Sequence, residues 1–311
     1  MSLQSRGFPA DDVYRGLLLA AATTVFLVVA LIVFESARGA GLSIRTFGWG
    51  FLTGTDWDPV ADRYGALPYI YGTLVTSAIA LILAAPVGIG SAVYLAELAH
   101  RRVGAVISFL MELLAAIPSI VYGIWGFFVL APWLRNAIEP WLIHHFGFLP
   151  LFRGAPFGIG ILNAGIVLAI MIVPTIISIS REVLLATPQS LREASLALGA
   201  TRAEAIGVTL GAARPGILGS IILALGRALG ETMAVYMLIG NRAQIVRSLF
   251  APANTLASVI AAEFTEAVGS IYLSSLIEMA LVLFVLTLVV NALAGLLVWS
   301  ITRGMPARAI A

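Results

Sequence analysis

Leu223-Ala-Leu-Gly-Arg-Ala-Leu-Gly-Glu-Thr-Met-Ala-Val-Tyr-Met237 lies inside a long apolar run yet carries two opposite charges, Arg227 and Glu231. Read as one α-helix, their four-residue spacing stacks the two side chains on one face. Gly226 and Gly230 form a second stripe beside them, continued by Ala234. Ionisable groups in hydrocarbon are costly and persist where a partner or a pathway uses them. Arg227 follows Pro215 by 12 positions, about 18 Å along a helix, which is near the middle of a bilayer core of roughly 30 Å. Two readings follow. Arg227 and Glu231 are an internal ion pair that locks helix packing, or Arg227 meets a passing oxyanion. A guanidinium is always charged, and its planar fork matches such oxygens. In the second reading Glu231 holds the arginine when no ligand is bound and keeps the anion from being trapped, because conduction requires release. Gly226 and Gly230 suit close helix approach in lipid, within the subunit or against another.

Composition supports a membrane setting. The 311 residues are 60% hydrophobic and 11% charged, with mean hydropathy +1.01. Soluble domains carry roughly 25% charged residues. Net charge is +2, all cationic side chains other than histidine are arginine, and lysine and cysteine are absent. No basic cluster fits nucleic acid. Without cysteine there are no disulfides, thiolate metal sites or cysteine nucleophiles. Without lysine there is no phosphate loop ending in Lys-Ser/Thr, so ATP, if used, binds to another chain.

Hydrophobic runs divide the chain into six expected spans: Leu17–Phe34, Tyr71–Leu95, Val106–Leu130, Phe157–Ser180, Pro215–Ile239 and Ile271–Ile301. The first is longer than the 7–15 residues of a signal-peptide core. Polar loops are expected at Arg38–Tyr69, with Asp56, Asp58 and Asp62, and at Ala131–Pro156, with Trp133 and Trp141 suited to an interface. Leu256–Ala262 is too short to cross. The organisation is a 1–70 segment of tail, first span and external loop, a 71–302 core and a 303–311 tail. Six spans place both termini on one side. Arg101, Arg102, Arg181, Arg214 and Arg303 then flank the cytoplasmic face, as the positive-inside rule requires. No span contains histidine, and nothing in the sequence offers a metal cluster or a nucleophile with a base. An intramembrane enzyme is therefore a poor reading. Glu97 is expected to pair with Arg101, four residues on; Glu112 and Glu278 are weaker candidates for a path lining, and Asn163 and Asn291 for bonds to neighbouring helices.

The polar stretch 181–215 reads as a helical hairpin. Ser190-Leu-Arg-Glu193 and Thr201-Arg-Ala-Glu204 each fit a capping box. Gly199 between them suits the left-handed residue that ends a helix, and Pro215 suits the first turn of the next span. The plain reading is a surface hairpin; the functional one is a rigid docking element.

Here a resemblance adds to the residues. Glu193-Ala194-Ser195, three residues, then Gly199 resembles the EAA loop of bacterial ABC importer permeases, with Ser195 in place of an alanine. The later Val208-Thr-Leu-Gly211 lacks that family's proline. Ala115-Ala-Ile-Pro-Ser-Ile-Val-Tyr-Gly123, Ser178-Ile-Ser-Arg-Glu-Val-Leu-Leu-Ala186 and Leu225-Gly-Arg-Ala-Leu-Gly-Glu-Thr-Met-Ala234 resemble the phosphate-specific importer permeases, and their C-type subunit more than the A-type. The similarity covers roughly residues 70–300. It implies an all-α, six-span permease of type I ABC importer architecture in the bacterial inner membrane. It implies phosphate as substrate, with sulfate, molybdate or phosphonate as the alternative, and Arg227 and Glu231 in translocation. It further implies that Glu193, Ala194 and Gly199 couple to an ATPase. The implied partners are an A-type permease, an ATP-binding dimer that carries the ATP and Mg, a periplasmic or lipid-anchored phosphate-binding protein, and membrane lipids. A self-sufficient ion-coupled transporter is the remaining rival.

Overall fold

The computed structural model describes residues 9–303. The tails 1–8 and 304–311, with Arg6 and Arg308, lie outside the described residues. The protein is all-α apart from one two-stranded hairpin. Helix α1 (Pro9–Gly39) leads to two short helices, α2 (Gly41–Phe47) and α3 (Gly50–Thr53), and to strands β1 (Trp57–Asp58) and β2 (Arg63–Tyr64). Helix α4 (Leu67–Val93) continues through a π-helical turn, Tyr94–Leu98. Next come α5 (Arg101–Ala116) and α6 (Ser119–Trp125). Two π-helical turns flanking α7 (Ala131–Trp133) carry α6 into α8 (Glu139–Phe146). Then follow α9 (Ile161–Ala186), α10 (Gln189–Ala197), α11 (Arg202–Leu229), α12 (Met233–Leu238), α13 (Leu256–Glu263) and α14 (Ser270–Thr302).

Five of these helices are long and apolar enough to cross a membrane: Val13–Gly39, Leu67–Leu98, Ile161–Ala186, Arg202–Leu229 and Ser270–Ser300. Helix α5 and the α6–α8 rod pass the same length and composition test together but meet at 90°, the geometry of a broken sixth span or a re-entrant loop. The expected third span, Val106–Leu130, is broken at Pro118, and proline chemistry explains why. A residue before proline is pushed out of the helical region, and Ile117 (φ −65°, ψ 130°) and Pro118 (φ −56°, ψ 136°) are both extended. The Tyr122 hydroxyl donates to Leu114 O at 2.8 Å and ties the two arms across the bend. The expected loop at Ala131–Pro156 is helical as far as Phe146, so Trp133, Trp141, His144 and His145 lie on helices.

The core is α4, α9 and α11, with α6 and α12 packed on them. Small residues allow the close approach that lipid does not otherwise drive. Ile176 fills the space left by Gly88, and Ile79 that left by Gly165, drawing α4 and α9 together. Val183 lies against Gly216, and the Ser180 and Ser220 hydroxyls share a hydrogen bond of 2.8 Å, fixing the register of α9 on α11. Helix α9 is the most enclosed span, whereas α1 is exposed along its apolar length and reaches α14 at its C-terminal end, where Gly39 meets Ile277.

The segment after α1 is more ordered than a polar loop. Phe51, Tyr64 and Tyr69 are buried in a second core with α13 and α14. Trp57 packs edge-on to Tyr64 and Tyr69, and Tyr64 stacks on Tyr272. Glu263 Oε2 accepts from Trp57 Nε1 at 2.8 Å and from the Tyr272 hydroxyl at 2.6 Å, closing this clasp. Burial, and then the Asp62 carboxylate, push the Tyr64 phenol up to about 12, so it stays a donor to Asp62. Asp58 Oδ1 accepts from the amides of Val60 and Ala61, shaping the hairpin turn.

Candidate functional site

The stretch carrying Arg227 is where the structure departs most from the helical reading. Pro215 does not begin a helix. It lies inside the 28-residue α11, which runs unbroken from Arg202 to Leu229. Proline clashes with the carbonyl four residues back, here that of Gly211, a position with open space around it. At the other end α11 stops two residues after Arg227. Gly230 (φ −96°, ψ 0°) closes it, Glu231 N bonds back to Ala228 O at 3.3 Å, and α12 starts at Met233. Arg227 and Glu231 therefore do not share a helix face. Among the described residues no carboxylate lies within 4 Å of Arg227.

Each charge has its own surroundings. Arg227 is exposed on the subunit surface and acts electrostatically on the Tyr122 phenol beside the α5–α6 bend. Seven residues separate it from Ser220, placing it about 10 Å beyond the Ser180–Ser220 level along α11. Glu231 is half-buried, and its Oε1 accepts from Ala234 N at 3.4 Å, serving the first turn of α12. Thr232 Oγ1 donates to Gly230 O at 3.1 Å, completing the corner. Gly226 faces the Asn291 amide of α14, while the Gly230 surface meets only carbonyls of its own helix. Ala234 packs on Gly123 of α6. The broken helix thus presents an arginine beside a polar backbone corner, the kind of interruption tolerated at membrane depth where backbone lines a cavity or is covered by protein.

The hairpin forms at the opposite end of α11. Helix α10 ends in a Schellman motif. Gly199 takes φ +86°, its amide bonds to Leu196 O at 3.0 Å, and Ala200 N bonds to Ser195 O at 3.1 Å. The Thr201–Glu204 capping box is present, with Thr201 N donating to Glu204 Oε2 at 2.7 Å and Glu204 N to Thr201 Oγ1 at 3.4 Å. The expected box at Ser190–Glu193 is absent. Helix α10 begins directly after Pro188, so Ser190 falls inside its first turn. Replacing Thr201 by Ala should cost about 1 kcal/mol of hairpin stability. Faster amide exchange through residues 201–206, with the 161–186 core unchanged, is the observable.

Helix α10 buries no residue completely. Glu193, Ala194 and Gly199 are exposed, as are Leu191, Leu196 and Leu198, the last at 90%. Arg192 and Ser195 form the half-buried face. The expected partner of Glu97 is Arg101, whose side chain lies outside the described residues. The Glu97 carboxylate accepts from Arg192 Nη2 of α10. An i,i+4 pair needs an unbroken helix, and here Ala99 (ψ 140°) and His100 (ψ 140°) are extended between the turn Tyr94–Leu98 and α5. Sequence reading missed Arg192, whose partner lies 95 positions away, and the contribution of Tyr122, although both fall in or beside quoted motifs.

The remaining candidates separate. Glu278 is 6% exposed at the wall of an apolar groove between α2, α3 and α14, whereas Glu112 is exposed. Asn163 Nδ2 donates to Gly158 O just before its own helix. Among the described residues no group of three or more His, Asp or Glu is placed to hold a metal ion.

Comparison with known proteins agrees with this layout. Residues 84–303 match the family described as binding-protein-dependent transport system inner membrane component. The chain is 46% identical over 289 residues to the phosphate transport system permease protein PstC of Mesorhizobium japonicum, covering 91% of this chain and 88% of that protein. It is 46% identical over 282 residues to the protein of that name from Haemophilus influenzae (89% of each chain). It is 38% identical over 286 residues to the probable PstC of Methanocaldococcus jannaschii (90% and 91%). A multi-pass helical membrane protein of this length, matched over most of its spans, belongs to the binding-protein-dependent transport system inner membrane component family.

Proposed function

We propose that this chain is a permease subunit of an ATP-driven importer that moves inorganic phosphate inward. What carries the reading is Arg227, an exposed guanidinium without a nearby carboxylate, on a span whose sequence tracks phosphate permeases over 91% of the chain. Facing lipid inside the bilayer core, it would cost several kcal/mol. Its surface is therefore one that another subunit or an aqueous path covers, and a second permease of the A type fits that need. Glu231 contributes by holding the α11–α12 corner open beside the arginine.

The hairpin supplies the drive. Its exposed Leu191, Leu196 and Leu198, beside Glu193, Ala194 and Gly199, offer a docking face to an ATP-binding subunit. That dimer binds the ATP and Mg. A binding protein delivers phosphate on the opposite side, and the termini face the cytoplasm. Because α11 is one rod from Arg202 to Leu229, a push on the hairpin reaches Arg227 without a flexible joint. The test of substrate is uptake of labelled phosphate into cells dependent on this importer, challenged with excess sulfate, molybdate or a phosphonate. Phosphate alone should compete. Equal competition by another oxyanion would move the substrate assignment to it.

A further inference from the structure

We infer that the Glu97–Arg192 ion pair is a transmission strut, by which the hairpin drives α4 together with α11. The inference rests on the importer reading. Helix α10 is exposed on most of its surface and is joined to α11 through the Gly199 corner. Across that corner a push reaches α11 directly, but it reaches α4 only through contacts in space. Arg192 provides such a contact: its guanidinium crosses to Glu97 at the far end of the Leu67–Leu98 span. The Glu97 side chain is 3% exposed, against 33% for Arg192. Buried ion pairs add little net stability, yet breaking one leaves an uncompensated charge. They are best suited to fixing geometry, and here the geometry joins an exposed surface element to a core span.

The local backbone agrees. Glu97 sits on the π-helical turn at the end of α4, a feature that re-aims a side chain and recurs at functional positions. Without that turn, Glu97 would follow the regular α4 register. Ser195, one turn beyond Arg192, bonds back to the Arg192 carbonyl at 2.8 Å and completes the inward face. Glu193 and Ala194, next in sequence, point outward. Adjacent residues thus divide two tasks, docking on one side and transmission on the other. Helix α4 is packed closely on α9 through Gly88 and Gly165, so moving its end carries the core with it. Arg192 and Glu97 are positioning residues that act through the spans and touch no substrate.

The test uses the complete complex in proteoliposomes, measuring phosphate imported per ATP hydrolysed. Glu97→Gln and Arg192→Gln should each lower that ratio by about fivefold or more, while ATP hydrolysis stimulated by the binding protein persists. The chain lacks cysteine, so a Glu97→Cys/Arg192→Cys pair can be bridged by a short bifunctional maleimide. Bridging should restore the ratio, and the unbridged pair should behave as the Gln variants do. Restoration by a tether is a result that a merely stabilising role would not produce. An unchanged ratio in well-assembled Gln variants overturns the strut. So does loss of stimulated hydrolysis together with uptake, which would assign the pair to docking. Absence of stimulated hydrolysis in the wild-type complex overturns the importer reading and the strut with it.

Discussion

Replacing Arg227 by Gln is expected to reduce phosphate uptake by about 100-fold, as removal of one charged contact from a desolvated path would. Assembly should be unaffected. Arg227 is exposed on this subunit and has no carboxylate within 4 Å among the described residues, so its loss orphans no buried partner. Glutamine keeps hydrogen-bonding capacity but lacks the fixed charge and the fork that match an oxyanion. Arg227→Lys, which keeps charge without the fork, should retain intermediate uptake. Glu231→Gln should cost less than Arg227→Gln. In this conformation Glu231 serves the first turn of α12, and an amide oxygen can still accept from Ala234 N. Initial rates of labelled uptake at matched membrane levels decide the series. Normal uptake by Arg227→Gln would remove the arginine from the pathway.

The second large effect is structural. Gly72→Ala is expected to destabilise the subunit by ~3 kcal/mol or more, beyond the usual cost of one extra methyl in a packed core. A Cβ at Gly72 would stand 1.9 Å from Asn254 O and 3.0 Å from Asn254 C. These are backbone atoms and cannot rotate away. They lie at the start of α13, where Thr255 forms a capping box with Ser258 and Leu256 N donates to Thr73 Oγ1 at 3.0 Å. Helix α4 and the turn into α13 therefore touch main chain to main chain, and a methyl must separate them. Gly90→Ala, in the same helix but with open space around the new atom, is the control and should be tolerated. Thermal unfolding of the detergent-solubilised complex distinguishes the two; equal behaviour would contradict the packing described.

Much of this architecture is legible in the sequence, because the bilayer limits the choices. The lengths of the apolar runs identify the helices that cross, and Gly199 and the Thr201–Glu204 box locate the hairpin corner with its correct caps. What escapes is how far each proline interrupts. Pro118 ends a helix and the chain turns by 90°, while Pro215 leaves α11 unbroken. The difference lies in packing: Tyr122 and Leu114 bridge an open bend, whereas Val183 and the Ser180–Ser220 bond press on a continuous α11. Gly230 likewise resembles a packing glycine until its position at the end of α11 is seen.

The charged residues show the same limit. Spacing alone pairs Arg227 with Glu231 and Glu97 with Arg101, since i,i+4 neighbours meet on any regular helix. A helix end at Leu229 separates the first pair, and extended backbone at Ala99 and His100 ends the helix between Glu97 and position 101, while Glu97 meets Arg192. In both cases a local change in backbone turns an expected structural pair into an arrangement with room for function.

The decisive measurement is phosphate-dependent ATP hydrolysis by the purified complex of this chain with a second permease and the ATP-binding subunits, with and without the binding protein. The importer mechanism predicts low basal hydrolysis that rises when phosphate-loaded binding protein is added, and a muted rise with the phosphate-free form. Hydrolysis indifferent to phosphate and binding protein, or phosphate uptake that proceeds with no ATP-binding subunit present, would contradict it.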